Sequence, residues 1–576
     1  NQLVYGGTYK GYMNRLDHTT GQTISTNVWP DNPAGSGAEV MKYRFNWNYP
    51  VTFSRHDSNE LYAGSKYLHA TTDGGQSWKT ISPDLTRGIP ETIESSGGPI
   101  TQDNTGAEFY SNIFVISESV LEKGVIWTGS DDGLIHVTRD NGVTWENVTP
   151  PSSLSPKLNM INCIDPSPFK KGTVYVAATS YKFGDYTPYL YKTDDYGKTW
   201  KLITNGIKDN YYTRAIRADK TREGLLYAGT EWGMFVSFDD GESWSSFQLN
   251  LPITSIRDLH VRDNDLIAAT HGRSFWMIDD LTPLHQLSDE VRNSDFYLYQ
   301  PDMAYRMHQS GGWQEPDTKL VGENHPNGAI INFYLNDIKE GDQVSLDILE
   351  MDGTVIRSFS NTAKPDKLNP ASTQKLEVTK GGNRMVWNMR YPGFQEFEGM
   401  VFYSSPNVGP KAVPGNYKVR LTYNGQSMEQ EFSIVKDPRI PNTQKDFQDQ
   451  FDFLMAVRDQ VTRANNAIIN IRNIKKDLDY LKAKTKDNPE LQKMATDFET
   501  ELSVIENNIH MTKNQSRQDP LNYGIRINNR IAFLLADSQR GDQRPTQQAK
   551  AFFAEVTKEL DTEISALNRL IQERAT

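Results

Sequence analysis

The chain has 576 residues, of which 37% are hydrophobic, and a formal net charge of -12. This length allows two to four domains with ordinary cores and excludes a disordered protein. The acidic balance argues against a nucleic-acid partner, because such a surface needs clustered Lys and Arg, and no apolar run is long enough to span a membrane.

The N-terminal text NQLVYGGTY is typical of a strand that begins almost at Asn1. It has neither the basic start nor the apolar region of a signal peptide. We therefore expect the natural N-terminus, with any signal peptide, to be missing from this chain. The only cysteine, Cys163 in NMINCIDP, is predicted to be a buried thiol on a strand.

Six similar strand-like sequences recur at intervals of roughly 40 to 65 residues. Short repeated strands of this kind are typical of β-propeller blades, each a small sheet that must pack on its neighbours. Residues 1–287 are therefore predicted to be a propeller of about five to six blades, incomplete within this chain. The texts are LVYGGT, LYAGS, VIWTGS, TVYVAAT, LLYAGT and DLIAAT.

Four of these strands are followed by one acidic motif: Ser or Thr, any residue, Asp, any residue, Gly, two residues, Trp. The Asp can accept backbone N–H bonds in a turn, the Gly can take a positive φ, and the Trp can pack under the turn. The motif is therefore predicted to be structural. Its residues are Asp73, Gly75, Trp78, Asp140, Gly142, Trp145, Asp195, Gly197, Trp200, Asp239, Gly241 and Trp244.

The blade pattern stops after DDLTPLHQL, and three further segments are predicted. Residues 288–327 are polar and are predicted to be a linker. Residues 328–440 contain short alternating strands with the hairpin signals MDG and YNGQ, which indicate an immunoglobulin-like β-sandwich. Residues 441–576 change to a three- and four-residue period, with a cap at Asn488 before Pro489 and shorter helices at about 522–537 and 546–573, which indicates an antiparallel helical bundle.

Groups that are not needed for turns are the candidate ligand-binding residues. The aromatics are predicted either to stack on sugars or apolar side chains, or to pack against a neighbouring blade. His271 beside Arg273 could orient a ligand carboxylate, or could instead fix the turn through backbone carbonyls. The candidates are Arg44, Trp47, Asp103, Glu108, Tyr181, Phe183, Tyr186, His271 and Arg273. No metal or cofactor motif is found, and no catalytic residue is assigned.

The four acidic motifs resemble Asp boxes, the BNR repeats of sialidases, of two-propeller xyloglucan-active glycosidases and of the sortilin-type receptor domain. The texts WPDNPAGSGAEVMKYRFNW, SSGGPITQDNTGAEFY and ATHGRSFWMIDDLTPL are similar to a family of large secreted bacterial proteins labelled sortilin-like or glycosyl-hydrolase-like. The resemblance implies that this chain is the C-terminal part of a longer product. It also implies a secreted, periplasmic or cell-surface location.

Two functions remain open at this point. The first is a secreted or cell-envelope propeller that binds peptide or protein partners or acts in an assembly. The alternative is a propeller that binds or hydrolyses glycans, and if there is an enzyme activity it would be glycoside hydrolysis. A missing N-terminal segment or a second chain is expected to complete the propeller, because the predicted blades of this chain do not close a ring.

Overall fold

The structure is a computed structural model that describes residues 2–308, 322 and 324–575. The chain divides into two compact units, Asn1–Leu281 and Thr282–Thr576. It is mainly β, with several sheets followed by a C-terminal helical region.

The described residues of unit 1 form six antiparallel sheets that follow one another along the chain. In each sheet the strands pair in chain order. The sheets are sheet 1, β1 (Leu3–Thr8), β2 (Tyr12–Asp17) and β3 (Thr23–Ser25); sheet 2, β4 (Val51–Phe53), β5 (Leu61–Gly64), β6 (Leu68–Thr71) and β7 (Lys79–Thr80); sheet 3, β8 (Ile113–Glu118), β9 (Ile126–Ser130), β10 (Ile135–Thr138) and β11 (Glu146–Asn147); sheet 4, β12 (Met160–Pro166), β13 (Val174–Ser180), β14 (Asp185–Thr193) and β15 (Lys201–Leu202); sheet 5, β16 (Thr213–Ala218), β17 (Leu226–Thr230), β18 (Gly233–Ser237) and β19 (Ser245–Ser246); and sheet 6, β20 (Ile256–Arg262), β21 (Asp265–Thr270) and β22 (Phe275–Ile278). Short helical turns lie at Tyr9–Gly11, Ala38–Val40 and Tyr181–Phe183, and helix α1 spans Pro90–Ile93.

The strands of sheets 2 to 5 that carry the recurring text are buried along their whole length. A strand buried on both faces is expected to be a continuous run of apolar and small residues, as LYAG and IWTGS are. Shared apolar clusters join consecutive sheets, for example Ile203 after the last strand of sheet 4 with Trp244 in the turn between β18 and β19 of sheet 5. Cys163 lies buried in β12, as predicted.

The four acidic turns have one hydrogen-bond pattern, which confirms the predicted turn chemistry. In the first turn, the Asp73 carboxylate accepts the backbone N–H of Ser77 at 3.0 Å and the hydroxyl of Thr71 at 2.8 Å. The Asp140, Asp195 and Asp239 carboxylates accept the equivalent backbone N–H groups at 2.8 to 2.9 Å. The four glycines have φ between 83° and 89°.

The tryptophan of each acidic turn bonds to the preceding sheet, which the sequence did not predict. The indole Nε1 atoms donate to the backbone carbonyl oxygens of residues that follow the last strand of that sheet. The pairs are Trp78 with Thr26 at 3.0 Å, Trp145 with Ile81 at 2.9 Å, Trp200 with Val148 at 2.7 Å and Trp244 with Ile203 at 2.7 Å. Each turn therefore ties its sheet to the one before it.

Unit 2 begins with helices α2 (Thr282–Gln286) and α3 (Asp289–Asn293), followed by two sheets that share one apolar core. Residues from both sheets, such as Phe333 and Val419, are buried in that core. One sheet has the order β23 (Phe296–Leu298), β25 (Ala329–Leu335), β29 (Gly381–Trp387). The other has the order β24 (Ala304–Arg306), β31 (Gln426–Lys436), β30 (Gly415–Tyr423), β26 (Val344–Leu349), β27 (Val355–Ser360), β28 (Gln374–Lys375).

The linker predicted at 288–327 is wrong where the structure describes it. Phe296–Leu298 pairs with β25, and Ala304–Arg306 pairs in parallel with β31. Both strands are too short for a periodic signal, and their partners lie far along the chain. Residues 309–321 and 323 of the predicted linker lie outside the described residues.

The C-terminal region is helical and shares one apolar core with the segment around Phe394 and Phe397. Thr443 and Asn488 cap the first two long helices through their side chains, and the cap at Asn488 confirms the prediction from sequence. The helix predicted at about 522–537 is instead split by Gly524, whose φ is 73°. The helices are α4 (Gln444–Lys484), α5 (Pro489–Ile509), α6 (Pro520–Tyr523), α7 (Ile527–Asp537) and α8 (Gln547–Ala575). Of the helices in the described ranges, none combines the length and the apolar character that a membrane span requires.

Candidate functional site

The candidate site of unit 1 lies at the end of the sheets opposite to the acidic turns. In sheets 2 to 5 the third strand ends beside the beginning of the second, for example Ser237 of β18 beside Leu226 of β17. An acidic turn follows that end. The second strand ends at the far end of the sheet, at Thr230 in sheet 5. At about 3.3 Å per residue, Thr230 lies about 13 Å along the strand from Leu226, which is beside the acidic turn. The acidic turns therefore cannot contribute to a site at the far end.

A β-bulge on the first strand of sheets 3 to 6 creates the first set of site residues. The register of each strand shifts by one residue near its beginning, which leaves one residue unpaired with the second strand. Bulges of this kind redirect a side chain and are frequent beside functional sites. The four bulged residues are Phe114, Asn162, Arg214 and Arg257.

The turn after the second strand provides the second set. In sheets 3 to 6 this strand ends in Ser or Thr, and the next residue differs from sheet to sheet: Asp131, Tyr181, Glu231 and His271. Equivalent places in the repeat therefore hold two carboxylates, a phenol and an imidazole. A site with one orientation for its ligand needs such differences, whereas a repeated frame does not.

The first set and two members of the second set meet around one cavity of about 640 Å³, which we call the unit 1 cavity. Its volume lies within the range of small-molecule pockets. All four bulged residues line it, together with Tyr181 and His271 from the turns. The remaining lining residues are Asn46, Trp47, Asn48, Glu108, Phe109, Tyr110, Met160 and Lys182.

Arg214 is held rigidly on one wall of the cavity. Its Nε and Nη2 donate to one carboxylate oxygen of Glu231 at 3.0 and 2.9 Å, and Ser255 donates to the same oxygen at 2.7 Å. The guanidinium carbon lies 4.5 Å from the ring centre of Tyr181 and 4.8 Å from that of Tyr212. Burial would raise the pKa of Glu231, but the bonds from Ser255 and Arg214 outweigh it and lower that pKa.

Positive charge predominates among the groups that line the cavity. Arg257 is exposed and donates from Nε to Nδ1 of His271 at 3.0 Å, and Lys182 is exposed in the helical turn after β13. Within the described residues neither cation has a carboxylate in salt-bridge contact, and Glu108 is the only carboxylate that lines the cavity. A cationic cavity in a chain of net charge -12 favours an anionic group of a ligand.

The wall that contains Trp47 is stabilised by a buried carboxylate, Asp131. Asp131 is 3% exposed and accepts hydrogen bonds from the backbone N–H of Asn112 at 2.8 Å and from Nδ2 of Asn46 at 3.0 Å. Burial raises the pKa of Asp131 to about 7, although the bond from Asn112 acts in the opposite direction. The adjacent wall residue Trp47 is 52% exposed and packs its ring 5.3 Å from that of Tyr9.

Four of the residues predicted from sequence line the cavity: Trp47, Glu108, Tyr181 and His271. The other exposed candidates lie elsewhere. Asp103 is in a surface loop, Phe183 is at the tip of the helical turn after β13, and Arg273 bonds to the carbonyl of Gly272. Tyr186 is exposed and packs its ring 5.9 Å from Tyr212, behind the arginine wall.

Arg44 was predicted to be a candidate ligand-binding residue, and its burial contradicts this. Its side chain is buried, and its guanidinium donates to the carbonyl of Ser111 at 3.2 Å and to the hydroxyl of Thr86 at 3.1 Å. An ion pair with Asp84 at 3.5 Å completes its contacts. Arg44 therefore joins the segment before sheet 2 to the segment before sheet 3 and cannot reach a ligand.

Sequence reasoning missed the cationic wall and most of the polar groups around it. Arg214, Arg257 and Asn162 interrupt the apolar pattern of their strands at the same place, in TRAI, IRDL and INCI. An alignment of the first strands to one another would have revealed that position. Among the described residues, no group of three or more His, Cys, Asp and Glu side chains is arranged to hold a metal ion.

No protein-family model matches the chain, and no curated protein matches it. Among the solved structures that match are GH74 xyloglucanases and YCF48, which are β-propeller proteins. The GH74 xyloglucanase from Xanthomonas campestris is 15% identical at a TM-score of 0.34, over 48% of this chain and 43% of its own. YCF48 bound to D1 peptide is 17% identical at a TM-score of 0.32, over 48% of this chain and 75% of its own. The GH74 enzyme from Niastella koreensis is 13% identical at a TM-score of 0.32, over 75% of this chain and 58% of its own.

This chain therefore spans less than half the length of the Xanthomonas enzyme. An enzyme that acts on xyloglucan and a protein bound to a peptide both occur among these structures, so the comparison does not choose between a glycan and a peptide ligand.

Proposed function

We propose that unit 1 is a propeller-type binding module and that it binds a peptide segment of a protein partner in the unit 1 cavity. The observation that carries this proposal is the placement of unlike residues at equivalent bulge and turn positions around one cavity. The acidic motifs repeat without change at the other end of the sheets. A single oriented ligand needs the first arrangement, and a stable frame needs the second.

The charges of the cavity favour a peptide with an acidic side chain or a terminal carboxylate. Arg257 and Lys182 are exposed and have no carboxylate partner among the described residues. Arg214 lies beside the stacked rings of Tyr181 and Tyr212. Guanidinium groups bind carboxylates in two-point geometry, and rigid aromatics add contact area at a low entropy cost. Trp47 on the facing wall would contact an apolar neighbour of the acidic residue.

Glycan binding is the second candidate function, and exposed aromatic rings favour it. Trp47 and Tyr186 are each 52% exposed, and flat rings of this kind stack on sugars. Hydrolysis is less well supported, because it requires two carboxylates roughly 5 to 9.5 Å apart across the bond. Glu108 is the single carboxylate that lines the unit 1 cavity within the described residues.

The test compares pairs of fluorescent decapeptides that differ only in Asp and Glu against Asn and Gln, with an oligosaccharide array as the alternative probe. Fluorescence polarisation should show preference for the acidic peptides and weakening of their binding as salt is added. R257Q should lower the affinity by about 10-fold or more. R273Q is the matched control, because Arg273 is exposed on the same sheet but does not line the cavity.

Three outcomes would contradict the proposal. They are equal binding of acidic and amide peptides, equal effects of R257Q and R273Q, and binding to the oligosaccharide array alone. The last outcome would favour the glycan function.

We also propose that a further segment or a second chain completes the arrangement of sheets. The sequence of β1 is similar to the sequences of the second strands in the other sheets. In the described residues β1 pairs only with β2. Leu3 and Val4 on β1 are 44% and 45% exposed, whereas the equivalent strands of sheets 2 to 5 are buried. Light scattering of the full-length protein distinguishes the two sources, because a second chain raises the mass above that of one chain and a segment of the same chain does not.

A further inference from the structure

Asp131 joins two separate segments of the cavity wall. One carboxylate oxygen accepts the backbone N–H of Asn112, which follows the lining residues Phe109 and Tyr110. The other accepts Nδ2 of Asn46, which precedes Trp47. Nδ2 of Asn46 also lies 3.4 Å from the carbonyl of Phe109. The position of the Trp47 segment therefore depends on what the Asp131 carboxyl can accept.

The charged groups that face Asp131 do not neutralise it. Asp132 follows it in the turn and is itself satisfied, since it accepts the backbone N–H of Arg87 at 2.8 Å. Lys182 acts on Asp131 from the helical turn after β13, and Tyr110 lies close to both carboxylates. In the described part of the chain no cation forms an ion pair with Asp131. A buried carboxylate without a cation is costly to ionise, and its pKa is raised to about 7.

Uptake of a proton from solvent would change the hydrogen bonding of Asn46. An ionised carboxylate only accepts, so it matches the amide N–H of Asn46. A protonated carboxyl must also donate, and rotation of the Asn46 amide would offer its oxygen as the acceptor. That oxygen now accepts the backbone N–H of Asn48 at 3.1 Å and closes the turn around Trp47. Protonation would therefore open this turn.

We propose that Asp131 is a positioning residue whose protonation sets the conformation of the Trp47 segment and thereby the ligand affinity of the unit 1 cavity. The effect on affinity rests on the proposed function, whereas the effect on Trp47 does not. This wall adjusts with pH around neutrality, and the arginine wall stays fixed by its bonds to Glu231.

The experiment observes Trp47 directly in the full-length protein without a ligand. Tryptophan is replaced biosynthetically by 5-fluorotryptophan, the Trp47 signal is assigned from W47F, and ¹⁹F NMR spectra are recorded from about pH 5 to about pH 9. We expect the Trp47 resonance to shift with one midpoint within about one unit of 7. The resonance of Trp232, which is 47% exposed in sheet 5, serves as the internal reference and should not shift.

Two variants assign the titration, and a third tests the histidine that lines the cavity, His271. D131N is close to isosteric and should abolish the shift of Trp47. N46A keeps the carboxyl but removes the connection to Trp47, so it should abolish the shift as well. H271Q should leave it intact.

A shift that persists in D131N or N46A, or that disappears in H271Q, would overturn the inference. So would a Trp47 resonance in the unchanged protein that does not move with pH. None of these results bears on the peptide-binding test, because no ligand is present.

Discussion

The tie between sheets 4 and 5 is the most direct test of how unit 1 holds together. Trp244 is 4% exposed, and its indole N–H donates to the carbonyl of Ile203 at 2.7 Å. W244F removes the donor and leaves a buried carbonyl without its partner, which should cost about 1 to 3 kcal/mol. W244A also removes most of the ring and should cost about 3 to 5 kcal/mol, because a buried aromatic leaves a cavity.

Trp232 provides the matched control within the same sheet. It is 47% exposed, and W232F should change the stability by less than about 0.5 kcal/mol. The two units of the chain need not unfold together, so the unfolding should be followed by hydrogen exchange and mass spectrometry in urea. Peptides that cover residues 201–203 and 244–246 should lose protection together in W244F.

Either of two results would refute the conclusion that the bond from Trp244 to Ile203 holds sheets 4 and 5 together. The first is that W244F and W232F have the same stability within error. The second is that only the peptide around residue 244 loses protection in W244F, since a tie to the preceding sheet must affect both partners.

Three further predictions concern charge. Because the pKa of Asp131 is raised to about 7, the folded protein should lose stability as the pH rises from about 4 to 7. In urea unfolding, D131N should gain stability relative to the unchanged protein by up to about 1.4 kcal/mol per pH unit over that window. Burial lowers the pKa of His510 to about 4, so unit 2 should lose up to about 1.4 kcal/mol per unit as the pH falls from about 6.5 to 4, and H510Q should remove this dependence in hydrogen exchange of α5. D140N should lower the melting temperature but leave binding of the acidic peptides unchanged. R257Q should weaken binding of the acidic peptides but leave the melting temperature unchanged.

The turns could be predicted from sequence because their interactions are local. The Asp73 carboxylate bonds to groups that are two and four residues away, and Gly75 takes its positive φ in the same short segment. The bond from Trp78 to Thr26 could not be predicted in this way, because it joins residues 52 positions apart. An eight-residue motif specifies a turn but does not specify what the turn packs on.

Arg44 shows why an isolated polar residue in a loop is a weak indicator of a site. The text KYRFNWNYP places Arg44 and Trp47 three residues apart, yet one is buried against Ser111 and the other faces the cavity. The contact that decides between them comes from a segment 67 residues away. Local sequence cannot distinguish the two, because both are compatible with the same loop.

The arrangement of unit 1 separates stability from recognition along each sheet. The acidic turns and their tryptophans join the sheets at one end, so the repeated residues there are constrained by the neighbouring sheet as well as by their own turn. At the other end, the bulge on the first strand presents one residue that does not pair with the second strand. Such a residue can change from Phe114 to Asn162 to Arg214 without disturbing the strand pairing of its sheet. A ligand site can therefore form at the bulged end while the acidic turns stay alike, and the residues that differ between repeats are the ones to mutate when the ligand is sought.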